Sequence, residues 1–152
     1  MLIQRIHLPA PGLEEMLAEA QREGYKFLDT LLREWESGKN RFDSPGEALC
    51  GYLDHGVLLA IGGLNLDPFL NDPSIARIRR VYVREAWRNQ GIGAALLDNL
   101  INIARQNFRC VRLRADSPRA ARLYERKGFV PTPNPSATHI IHFNQPSGDS
   151  NV

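Results

Sequence analysis

The chain has 152 residues, 43% hydrophobic and 24% charged, with a formal net charge of +2. That length suits one domain with a real core, and the composition is globular rather than disordered. No apolar run approaches the ~20 residues of a membrane span, Met1–Leu8 lacks a secretory-leader layout, and so small a charge argues against a large nucleic-acid footprint.

A cytoplasmic protein with no membrane or nucleic-acid partner is therefore expected. Residues 2–8 carry a weak alternation that predicts a strand. From Gly12 to Gly24, Leu13, Met16, Leu17 and Ala20 recur at helical spacing. A second amphipathic helix runs from about Tyr25 to Ser37, with Phe27, Leu28, Leu31, Leu32 and Trp35 on one side and Gly38 as its stop. Residues 38–46 are polar and read as a loop. Ala48–Leu53 and Val57–Leu66 are apolar runs divided by Asp54-His55-Gly56, which is a hairpin pattern. Ile75–Val83 predicts another strand, Gly91 to about Asn107 a helix, and Cys110–Ala115 a strand. Ser117 and Pro118 then supply an N-cap and a first helical residue for a helix reaching Lys127. Gly128 suits the left-handed residue that ends it. A Pro-rich loop, Pro131 to Pro135, leads to a last strand, Thr138–Phe143. Residues 1–143 are thus expected to form the domain and 144–152 a flexible tail.

Cys50 and Cys110 sit far apart in apolar stretches and form no CxxC pair, so buried free thiols are expected rather than zinc or redox chemistry. His139 and His142, three apart on a strand, face opposite sides and cannot share a metal. No metal is expected.

The stretch that carries chemistry is Arg88-Asn89-Gln90-Gly91-Ile92-Gly93-Ala94, between a strand and an apolar helix. The first N–H groups of a helix lack internal partners and favour an anion, and glycine lets a bulky anion approach the backbone. A diphosphate fits such a turn. A dinucleotide fingerprint does not, because Leu96 stands where a third small residue belongs. Arginines crowd the stretch from Arg77 to Arg126.

Arg-x-x-Gly-x-Gly after Val81-Tyr82-Val83, then helix, strand and Ala120-x-x-Leu-Tyr-Glu-Arg-Lys-Gly-Phe129, resembles the GNAT superfamily of acetyl-CoA-dependent N-acetyltransferases. The resemblance implies an α/β fold of the α+β type. Its sheet would be mixed and mostly antiparallel, with six to seven strands splayed between the fourth and fifth and about four flanking helices. It implies acetyl-CoA as co-substrate, with the pantetheine arm on Val81, Tyr82 and Val83. The pyrophosphate would rest on residues 88–94, and Tyr124 would protonate the departing thiolate. The acceptor would be a primary amine of a small molecule or peptide, and the protein a monomer or homodimer.

Two departures stand out. Ser117 replaces the asparagine that many members place seven residues before the tyrosine, so its cofactor contact is open. Arg77 and Arg112 occupy places where related enzymes often carry a basic Glu, and Arg accepts no proton. Glu47, Asp54, His55, Glu85, His139 and His142 remain as bases, with no feature to separate them. Arg112 and Arg114 share one strand face; they would grip a carboxylate or phosphate on the acceptor, bind cofactor phosphates, or lie at the surface. An inactive acyl-CoA sensor is the alternative to an enzyme.

Overall fold

The computed structural model describes residues 2–143; Met1 and the polar tail, expected to be flexible, lie outside the described residues. Seven strands form one sheet in the order β1-β2-β3-β4-β5-β7-β6. They are β1 (Leu2–Arg5), β2 (Ala48–Asp54), β3 (Val57–Leu66), β4 (Ile75–Val83), β5 (Cys110–Leu113), β6 (Val130–Pro131) and β7 (His139–His142). The helices are α1 (Leu13–Arg22), α2 (Phe27–Ser37), α3 (Ile92–Asn107) and α4 (Pro118–Arg126). Among the described residues, only the β4–β5 pair is parallel.

The long apolar run of β3 is buried on both faces, which is why it shows no alternation. On one face α3 lays down Leu96, Leu97, Leu100, Ile101 and Ala104 against Ala60, Leu64, Ala76, Ile78 and Val111. On the other, Leu13, Met16, Leu28 and Leu31 of α1 and α2 pack on Leu49, Ile61 and Tyr82. Cys50 and Cys110 are buried free thiols, as their apolar surroundings predict.

The sheet opens between β4 and β5, as expected from the resemblance. Those strands pair only where Ile75, Ala76 and Arg77 meet Cys110, Val111 and Arg112. Past Arg77, the β4 edge facing β5 has no ladder partner among the described residues. Arg80 adopts a left-handed φ of 62°, and the β3–β4 register shifts between Ile61 and Gly63. This is a bulge, which bends the strand and re-aims its side chains.

Among the boundaries that differ from the sequence reading, β1 ends at Arg5 rather than Leu8, and two others have a local cause. Val130 and Pro131 form an edge strand on β7 rather than opening the loop, a place where proline's missing N–H costs nothing. β5 stops at Leu113, because the Ala115 N–H donates instead to Thr138 Oγ1 at 2.8 Å.

Candidate active site

A cleft of about 470 Å³ enters the split between β4 and β5. Of the residues singled out from sequence, Val81, Tyr82, Val83, Arg88, Asn89, Gly91, Gly93, Ala94, Ser117 and Tyr124 line it. Gln90 and Ile92 do not. Gln90 Nε2 donates to the Ala86 carbonyl at 3.2 Å, while the Ile92 side chain is buried in the α3 core.

The turn into α3 leaves its backbone N–H groups open. Asn89 and Gly91 are left-handed, with φ of 64° and 83°. The Ala95 N–H is the first to bond the Gly91 carbonyl, so those of Ile92, Gly93 and Ala94 have no helical partner. No side chain caps the helix and no acidic residue occupies its first turn. A Cβ on Gly91 would meet nothing within 4 Å, and one on Gly93 only Val83 Cγ2 at 3.5 Å. The left-handed backbone accounts for Gly91, whereas at neither glycine does protein packing fill the space a Cβ would take.

The Arg88 side chain does something the sequence did not suggest. Its Nη1 and Nη2 donate to Glu23 Oε2 and Oε1 at 2.8 and 2.7 Å, and its Nε to the Val83 carbonyl at 2.9 Å. The guanidinium also lies 5.3 Å from the Tyr82 ring centroid. A bidentate pair of this kind fixes geometry as well as charge. It fastens the turn to the segment just after α1, and the hydrogen bonds from Arg88 hold the Glu23 carboxyl below its ordinary range. Tyr82 Oη is bonded to Glu23 and, at 2.7 Å, to Glu19 Oε2. Burial pushes the Tyr82 phenol well up, and the two carboxylates add to the effect. Burial also raises the Glu19 carboxyl, but hydrogen bonds from Tyr82 and the Glu85 N–H, with the Arg84 charge, outweigh it.

Tyr124 sits on α4, its ring 6.0 Å from Phe129 and 6.5 Å from His139. Its hydroxyl makes no hydrogen bond among the described residues. Burial, with Asp116 adding, pushes its pKa up to about 12. Ser117 Oγ accepts from the Ala120 N–H at 3.0 Å as the α4 cap, which leaves its own O–H free to donate into the cleft. Arg119 and Arg126 also line the cleft, whereas Lys127 is paired with Asp98.

None of the six candidate bases lines the cleft. Glu47 accepts from the Ser44 N–H, Asn65 and the Leu66 N–H, a structural role. His139 is buried between Thr138 and Glu125. His55 and Asp54 pair in the exposed β2–β3 turn, Glu85 lies in the 3-10 turn Glu85–Trp87, and His142 is exposed at the end of β7. Arg112 corrects the expectation of an open cationic face. It is 3% exposed, with Nε on Asp67 Oδ2 at 2.9 Å and Nη2 on Ser136. Arg114 is exposed and donates to the Pro135 carbonyl at 2.7 Å.

Sequence reasoning missed Tyr25 and Phe27, which border the cleft but read as ordinary helix residues. It also missed Glu19 and Glu23. Their spacing of four puts them on one helical face, but nothing local joins them to residues about 60 positions away.

The sequence pattern of the acetyltransferase (GNAT) family matches residues 11–129. Among solved structures, a protein from Exiguobacterium sp. 255-15, to which acetyltransferase activity is provisionally ascribed, superimposes with a TM-score of 0.83 at 26% identity, over 93% of this chain and 92% of that one. Ard1 from Thermoplasma volcanium gives 0.66 at 25% identity over 95% and 98%. The ribosomal-protein-S18-alanine N-acetyltransferase from Escherichia coli gives 0.68 at 17% identity over 95% of each chain, a likeness of fold. With the pattern covering most of the chain and the split sheet and open N–H turn in place, this protein belongs to the GNAT acetyltransferase family.

Proposed function

We propose that this protein is an N-acetyltransferase that moves an acetyl group from acetyl-CoA directly to a primary amine of a small molecule or peptide, with Tyr124 as general acid. One observation carries the reading: the uncapped N–H groups at the start of α3, the unpaired edge of β4 and the Tyr124 side chain share one cleft. Acetyl-CoA supplies an activated acetyl thioester. The N–H groups of Gly93 and Ala94 hold its pyrophosphate at the positive end of α3. The free edge of Val81–Val83 takes the pantetheine amides as an added strand, and an N–H on that edge stabilises negative charge on the thioester oxygen. Tyr124 donates its proton towards the departing sulfur. Arg77 and Arg112 accept no proton, so the acceptor, of pKa about 10.4 as a simple amine, loses its proton to solvent before attack.

Release of free thiol from acetyl-CoA in the presence of an amine panel tests the reading. Binding of CoA without thiol release from any amine would favour an inactive acyl-CoA sensor. The pH profile adds a second check. Because the Tyr124 pKa is pushed up to about 12, the acid stays protonated across the working range. Activity should therefore climb as the acceptor deprotonates and show no fall before about pH 10. A descending limb near neutrality would remove Tyr124 as the acid.

Gly91→Ala tests the turn. Placing Ala at a φ of 83° costs roughly 1 kcal/mol of stability, and the new Cβ projects into otherwise open space. Affinity for acetyl-CoA should drop about 10-fold or more by calorimetry, through lost anion contacts. Gly56→Ala is the control, with a φ of 78° and equally open space in the β2–β3 turn. It should show the same strain and unchanged affinity.

A further inference from the structure

We infer that the acceptor carries an oxyanion, a carboxylate or a phosphate, and that Arg77 and Arg79 of β4 receive it on the sheet face beneath α2; this rests on the acyl-transfer reading above. Ala76 and Ile78 belong to the α3 core, so Arg77 and Arg79 between and beside them point to the opposite face. The bulge puts Arg80 there too, 3.6 Å from Glu34 of α2. On β5, Val111 and Leu113 pack on the α3 side, which sends Arg112 to the same opposite face, in register with Arg77.

The carboxylates on this face fall short of the guanidiniums. Asp67, whose side chain is fully buried, serves both Arg112 at 2.9 Å and Arg77 at 3.8 Å. Glu34 is shared between Arg80 and Lys39. The Glu47 oxygens are taken by Asn65 and two backbone N–H groups. Arg79 makes no side-chain hydrogen bond or ion pair among the described residues, and it lines a second, polar cavity of about 270 Å³ with Lys39 and Arg41 and with the carboxylates of Glu34, Asp43 and Glu47.

The unmet donors fall on the same face. Among the described residues, the buried side-chain polar atoms without a hydrogen-bond partner are Arg77 Nη1, which lies 3.8 Å from Asp67, and Arg80 Nε. Buried donors are ordinarily satisfied, and two orphans on guanidines three residues apart on β4 point to a group from outside the chain. Burial holds the Arg77 and Arg79 guanidinium pKa values below their ordinary range, and neighbouring arginines add to that, a penalty that a bound anion reverses. Arg77 is 7% exposed, and the Phe69 ring, 59% exposed, lies 4.7 Å over its guanidinium. An exposed ring on the β3–β4 loop can swing aside without opening the core.

Position links this face to the chemistry. Arg79 precedes Val81 by two residues, about 7 Å along the chain, with the Arg80 bulge between them. Arg79 lines the second cavity and Val81 the first, and an acceptor with its amine at the thioester reaches Arg79 by crossing that bulge. Arg112, already committed to Asp67 and Ser136, is a scaffold for the pair rather than part of the grip.

Calorimetry on the whole chain with CoA bound tests this without requiring turnover. The probes are 4-aminobutyrate, 3-aminopropyl phosphate and 1-aminobutane, alike in their amine and different in the far end. One or both anionic amines should bind about 10-fold or more tightly than 1-aminobutane, a difference of about 1.4 kcal/mol, and the tighter of the two identifies the oxyanion. Arg79→Gln should erase the preference while leaving CoA and 1-aminobutane binding unchanged. If Arg79→Gln melts earlier, Arg79→Lys, which keeps the charge but loses the paired donors, should weaken the anionic probes alone. Equal affinities in a protein that binds CoA overturn the inference by themselves. Failure to bind CoA overturns the acyl-transfer reading and the inference with it.

Discussion

Tyr124→Phe is expected to lower kcat by about 100-fold, the low end of what a positioned general acid contributes. The raised phenol pKa sets that expectation. Against a thiolate of pKa about 8.5, a phenol at about 12 faces an uphill transfer of roughly 5 kcal/mol. Tyr124 then acts by donating a strengthening hydrogen bond to the developing thiolate more than by complete proton transfer. Its aromatic ring, packed near Phe129 and His139, is unchanged by the substitution, so thermal stability and the affinity for acetyl-CoA should hold. Steady-state kinetics with calorimetry of CoA binding separates the two effects. Unaltered kcat would remove Tyr124 from the mechanism, and a matching loss of CoA affinity would make it a packing residue of the cleft wall.

Asp67→Asn should have the largest effect on stability, about 3–5 kcal/mol, because it leaves two buried guanidiniums with no counter-charge. The side chain is isosteric, so the change tests charge and not volume. Asp67 Oδ1 also accepts from the Phe69 and Leu70 N–H groups at 2.8 and 3.2 Å, so the carboxylate orders the β3–β4 loop as well. A loss of that size corresponds to a Tm decrease on the order of 10 °C for a chain this long. Thermal and urea unfolding measure it directly. A change below about 1 kcal/mol, the scale of an exposed pair, would mean that solvent reaches and screens the cluster.

The end of α1 and the residue after it reach residues of the cleft through side chains. Glu23 grips Arg88, and Glu19 with Glu23 grips the Tyr82 hydroxyl. The two residues that flank the unpaired edge of β4 are thereby tied to one helix end. Such bonds hold the turn in place before any anion arrives, which lowers the ordering that binding must supply.

How much of this was legible in the sequence varies with the range of the forces involved. Gly91 before an apolar helix and Ser117-Pro118 before α4 were readable because caps and turns are decided by a few neighbouring residues. The strand from Ile75 to Val83 was readable to its ends. The bulge at Arg80 was not, because its cause is the register against β3. Nor were the partners of the arginines. Asp67 lies 45 residues from Arg112 and Glu23 lies 65 from Arg88, and no local pattern encodes such pairs.

The sequence by itself determined the helices, most of the strands and the open glycine turn before α3, since periodicity, capping and glycine conformation act over a handful of residues. Only the tertiary structure decided what each arginine does. It took Arg88 for the Glu23 latch and Arg112 for Asp67, and left Arg77 and Arg79 short of counter-charge on one sheet face. The physical reason is that a guanidinium is the same group everywhere in the chain. What it binds depends on which carboxylates the folded sheet brings within about 4 Å and on how much water the packing leaves around them.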